Sequence, residues 1–278
     1  MTNRIAYMPL NTYPEAAPDP AVLAAIGFAA ALEGGLHVST FAVDIPPVVA
    51  PLANLLINIE GMARAVEDRS RADCDHLRSL VEGAAEPKLN VQVMNHRLVL
   101  GAALDAAATE ARYFDLAILP WSAEALSTQD MAQSLVFGSG LPVILMPPRT
   151  KAAPVDHIAI AWDESRVAAR ALNDALPLLA AGGRVSVLTV QDEKTLSGPD
   201  LSQTLASALE LRGFNAKAVD LTLDGRSIAE TLQDGAMAAG AQLLAMGAFG
   251  HSRIRDFILG GATNGVFADL RLAVLLSH

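Results

Sequence analysis

The chain has 278 residues, 52% of them hydrophobic and 18% charged, which is enough apolar material for one or two cores without staples. Its formal net charge of -10 excludes a broad nucleic-acid face, which needs concentrated Lys and Arg. The single cysteine, Cys74, excludes a disulfide framework and a multi-cysteine zinc site, favours a reducing compartment, and is expected to pack on a helix.

In chain order, residues 5–10 form a short apolar strand, and a proline-rich turn leads into an alanine-rich helix over 21–33 that stops at Gly34-Gly35. A second strand is expected over 36–43, a long helix over 52–84, a third strand over 89–95 and a helix over 98–112. The charged side of the long helix (Arg64, Glu67, Asp68, Arg71, Asp75) reads as a solvated face. Apolar runs at 116–119 and 141–146 supply two more strands, with a loop running from Pro120 through Gln129 and Asp130. Residues 147–154, PPRTKAAP, break all periodicity and mark a linker between domains at 1–148 and 155–278. Neither of the most apolar segments, 21–32 and 45–59, reaches the roughly 20 residues of a membrane span. Pro9, Pro14, Glu15 and Asp19 interrupt any signal-peptide core, so neither membrane nor export is expected.

After the linker the pattern repeats. Strands are expected at 157–161, 185–190, 216–221, 243–246 and 272–276, with helices at 168–181, 201–212, 227–239 and from Gly261. The segment 141–145 lines up with 272–276, and 115–119 with 242–246. Alternating strands and helices at this spacing predict an α/β fold: two tandem, open, parallel five-stranded sheets with helices on both faces.

The most informative stretch is 243–277. A buried strand enters a loop opening with Gly247 and Gly250, and Gly260, Gly261 and Thr263 stand at the start of a helix. Glycines let a ligand approach the main chain, and helix N-terminal N–H groups suit an anion. The spacing Gly247-x2-Gly250-x9-Gly260 resembles the nucleotide-binding signature of the universal stress protein (UspA) family, in its tandem form. The resemblance departs at one point: Gly261 stands where the family has Ser or Thr, and a hydroxyl arrives at Thr263. In the first half no glycine cradle remains, the loop is some four residues shorter, and Asp130 near the phosphate position would repel an anion. That half is expected to be structural or regulatory.

The resemblance implies a Rossmann-like, adenine nucleotide alpha hydrolase-like fold that binds ATP, with any Mg2+ carried in by the nucleotide. It places Ala161, Trp162 and Asp163 beside base and ribose, Val190, Met246 and Phe249 against adenine, and Gly247, Gly250, Gly260, Gly261, Ala262 and Thr263 around the phosphates. Two alternatives stand beside these assignments. Asp163 is either a ligand contact or a helix N-cap, and Trp162 either stacks on a base or fills the pocket. His251, Arg253 and Arg255 are further candidates for phosphate. No Walker loop, nucleophile elbow or H-E-x-x-H pair is present. The expected protein is therefore a cytoplasmic stress-response switch with slow or no hydrolysis, no catalytic or metal-ligating residue of its own, an adenine nucleotide as ligand, and a homodimer or an unidentified protein as partner. A nucleotide-free dimeric scaffold is the alternative.

Overall fold

The computed structural model describes residues 4–47, 58–123, 125–148, 150–191, 200–248 and 261–278. In the first half, β1 (Ile5–Asn11), α1 (Asp19–Ala31), β2 (Gly35–Asp44), α2 (Ile59–Ala84) and β3 (Asn90–Val99) are followed by α3 (Ala103–Ala111), β4 (Leu116–Pro120), α4 (Leu126–Gly138) and β5 (Val143–Met146). The second half runs β6 (His157–Ala161), α5 (Arg166–Ala175), β7 (Arg184–Val190), α6 (Leu201–Leu211) and β8 (Asn215–Leu221), then α7 (Ile228–Ala239), β9 (Leu243–Gly247), α8 (Gly261–Ala268) and β10 (Ala273–Ser277).

The sheet order is β3-β2-β1-β4-β5-β10-β9-β6-β7-β8. Each half is a parallel five-stranded set in the order 3-2-1-4-5. The two sets do not remain separate: β5 and β10 pair antiparallel and join them into one ten-stranded sheet. Both are fully buried apolar strands whose open backbone edges satisfy each other. The register is symmetric about one pair. Ile144 faces Leu275, while Val143 faces Leu276 and Leu145 faces Val274, so equivalent residues exchange across a pseudo-twofold axis at Ile144–Leu275.

Strand alternation divides the core into two layers, each shared by both halves. One layer collects Met8, Val38, Ile144, Ile160 and Leu275 beneath α1, α2, α5 and α6. The other collects Tyr7, Phe41, Leu145, Val190 and Met246 beneath α3, α4, α7 and α8. Polar links also cross the pseudo-axis, with Arg4 donating to the Pro177 carbonyl and Arg170 to that of Gly140.

Several expected boundaries move. The third strand continues through Asn95, His96 and Arg97 to Val99, because β3 is an edge strand whose alternate side chains face solvent. Residues 98–100 therefore precede the helix, and Gly101 turns the chain at a φ of 90°. Gln129 and Asp130, expected in a loop, lie in α4, which begins without a side-chain cap and is held by burial of Met131, Ala132, Leu135 and Val136. Pro177 converts the end of α5 into a 3-10 turn, Leu176–Leu178. The linker is not loose, since Ala152 lies against α1 where a Cβ on Gly27 would meet its methyl at 2.9 Å.

On α2, Ser70, Cys74, Leu77 and Val81 face inward and Glu60–Arg64 and Arg78–Glu82 pair outside, as its pattern requires. Glu67 departs from the solvated face and accepts a hydrogen bond from the Ile45 N–H. Cys74 is buried, and burial pushes its thiol pKa up. Among the described residues no helix is long and apolar enough to cross a membrane, and no group of His, Cys, Asp and Glu forms a metal-binding cluster.

Candidate functional site

In an open parallel sheet a ligand crevice forms beyond the carboxyl ends of the strands where chain order reverses. In the second half that point lies between β6 and β9, which pair through Ile158–Leu243 and Ile160–Ala245. The ends of β6, β9 and β7 bring Ala161, Gly247 and Val190 to one edge of the sheet.

Within that edge the two faces differ. Ala161, Val190, Met246 and Ala262 contribute to the layer covered by α7 and α8 and form a continuous apolar floor. Trp162 packs against the opposite layer, beneath α5 and α6. Its N–H donates to the Leu188 carbonyl and its own carbonyl accepts from the Thr189 hydroxyl, which fixes the chain at that point. Val190 and Met246 belong to the other layer.

Asp163 is not the helix N-cap. Its Oδ1 accepts the Ser165 N–H at 2.9 Å, closing a turn in which Glu164 takes a left-handed φ of 60°. Ser165 then caps α5 by accepting the Ala168 N–H at 3.1 Å. The carboxylate thus stands just beyond β6 and shapes the rim of the crevice.

Gly247 has a packing reason to be glycine. A Cβ there would lie 2.5 Å from Val167 Cγ2 and 2.7 Å from the Ala168 nitrogen, so the first turn of α5 presses directly on β9. Ala248 is buried and donates to the Ser277 carbonyl. Phe249, Gly250 and Gly260, with His251, Arg253 and Arg255, lie outside the described residues. Gly261 opens α8, followed by Ala262, and the Thr263 side chain is buried at 2% exposure. Gly265 lets α8 approach α7, where a Cβ would meet that of Ala229 at 2.5 Å.

The first half carries the same crevice with other residues. Matching Ala6–Leu116 to Ile158–Leu243, and Ile5–Gly35 to His157–Arg184, sets Asn11 where Asp163 stands and Phe41 where Val190 stands. Matching Ala117–Val143 to Leu244–Val274 makes the first-half connection four residues shorter and sets Asp130 at the place of Gly261. Deeper on this face, the Tyr7 hydroxyl donates to Glu110 Oε2 at 3.0 Å, and His37 and His96 bring Nε2 atoms to 3.3 and 3.4 Å from the same carboxylate. Burial first, then the Glu110 charge, pushes the Tyr7 pKa far above its ordinary value. Sequence reasoning passed over Asn11, Phe41 and this cluster. The duplication itself was the signal that could have found the first two, by carrying Asp163 and Val190 back onto the first half.

These features define a doubly wound α/β protein built of two similar halves, each with a crevice at its own switch point. Residues 154–278 match the family model described as Universal stress protein family. The fold is similar to that of a universal stress protein from Archaeoglobus fulgidus DSM 4304, with a TM-score of 0.69, 14% identity, and 98% of this chain and 97% of that one covered. A putative universal stress protein from Pseudomonas aeruginosa UCBPP-PA14 gives a TM-score of 0.52 at 16% identity over 99% of this chain and 93% of that one. A functionally unknown protein from Pseudomonas aeruginosa PAO1 gives 0.50 at 16% identity, covering 98% and 92%. No protein of curated function matches the chain.

Proposed function

We propose that the second half, taken as a domain over 155–278, binds an adenine nucleotide, with ATP the first candidate, and that a domain over 1–148 carries no nucleotide. Bound nucleotide then favours one conformation of a cytoplasmic stress-response switch by its differential affinity, with slow or no hydrolysis. The observation that carries this reading is Gly247 at the end of β9, at the switch point of the half that matches the family, together with the sequence spacing Gly247-x2-Gly250-x9-Gly260 that follows from it.

The residues present suit such a ligand. Ala161, Val190 and Met246 offer an apolar floor for a base, and Asp163 stands at the rim where a ribose would lie. Main-chain N–H groups at the start of α8 would meet the phosphates. Mg2+ would arrive with the nucleotide, as is usual where phosphates supply most of its ligands.

The burial of Thr263 favours a second reading, a nucleotide-free dimeric scaffold, because its hydroxyl is the one nearest the place of the missing Ser or Thr. Chromatography of extracts from the denatured, purified chain separates the two readings. Carried-over adenine nucleotide is expected in the wild type and depleted in Gly250→Ala and Gly260→Ala; its absence from all three supports the scaffold.

A further inference from the structure

The crevice of the first half is a formed cavity of about 220 Å3, although that half lacks the glycine series. It opens where β1, β2 and β3 end and where α3 and α4 begin. Its apolar lining includes Pro14, Phe41, Val43, Leu98 and Leu104, and Tyr13 adds a second aromatic ring. Its polar lining consists of Asn11, Ser127 and Asp130.

The chemistry of this lining is the reverse of a phosphate site. No Lys, Arg or His is among its lining residues, and its single formally charged residue is acidic. Asp130, in the second turn of α4, occupies the place of Gly261, and Phe41 fills the place of Val190 with a ring. Phe41 is buried at 1% exposure and stacked on His96, so it serves as apolar floor, while the partly exposed Tyr13 ring and the Asp130 carboxylate supply the two groups that suit an organic cation. Size points the same way, since the cavity falls below the roughly 300–1,000 Å3 of pockets for drug-sized ligands.

We propose that the first-half cavity is a second ligand site, selective for a small organic cation with an apolar or aromatic body, and closed to phosphorylated ligands. The body lies against Phe41 and Leu98, and the ammonium group meets Asp130, with Asn11 and Ser127 as further polar partners. The proposal does not depend on nucleotide binding in the second half.

The test compares benzylamine, benzyl alcohol and benzoate, three probes of one shape and different charge, by ligand-observed and protein-observed NMR titration of the full chain. Benzylamine is expected to bind about five-fold more tightly than benzyl alcohol, the size of a partly exposed charge contact, with benzoate weakest. Asp130→Asn should remove the advantage of the amine and leave the alcohol unchanged, while Leu98→Trp, which fills the cavity, should abolish binding of both. Equal or tighter binding of benzoate, no binding of any probe, or an amine preference that survives Asp130→Asn in a folded variant overturns the proposal.

Discussion

The Trp121 ring packs on Phe267 with centroids 5.0 Å apart and planes inclined by 39°, so the residue following β4 of one half braces α8 of the other. Both side chains are buried, at 2% exposure each. The position thus has a structural role that simple divergence after duplication would not require. Trp121→Ala should cost about 3–5 kcal/mol in urea unfolding, the range for truncating a buried aromatic. Because α8 opens at Gly261, the same variant should also weaken any ligand held at that helix start.

Gly247, the first of the glycine series, serves the fold directly. The Val167 carbonyl carbon and the Ala168 nitrogen both lie 2.7 Å from where an added methyl would sit, so relief requires movement of backbone rather than of a side-chain tip. Gly247→Ala should therefore lower stability by about 1–3 kcal/mol in denaturant titration, as overpacking does. Wild-type stability for this variant would show that α5 can retreat from β9.

Tyr7 gives the fold a defined alkaline weakness. Its folded-state pKa lies above the ordinary value of 10.0, so its contribution is complete below about pH 10 and is lost as the pH rises beyond that, because the unfolded chain ionises first. At pH 11 the expected loss is about 1.4 kcal/mol, and Tyr7→Phe should remove that component of the slope. Glu110→Ala strands the Tyr7 hydroxyl and should cost about 1–3 kcal/mol at neutral pH. Parallel alkaline slopes for wild type and Tyr7→Phe would contradict the assignment.

Much of the fold could be read from local pattern. Ser227 and Glu230 announce the start of α7 and form a reciprocal capping box, and Gly240 ends it in the left-handed conformation. The two equivalent apolar runs 141–145 and 272–276 revealed the duplication but not that they would pair with each other, because antiparallel joining of β5 and β10 depends on the docking of whole halves. The helix α4 is not legible locally, since no side chain caps it and its burial against the sheet decides its state. In the candidate site, the side of the sheet taken by Trp162 was implicit in the alternation of Ile158, Ile160 and Trp162. The turn that diverts Asp163 from capping to holding the Ser165 N–H is set by the left-handed Glu164, which no composition rule marks.

Isothermal titration calorimetry of the full chain with ATP and Mg2+ counts the nucleotide sites, proposed as one in the second half and none in the first. A single site per chain is expected, with heat lost in Gly260→Ala and retained in Asp130→Asn. Absence of saturable heat in the wild-type chain, or a stoichiometry of two, would contradict it.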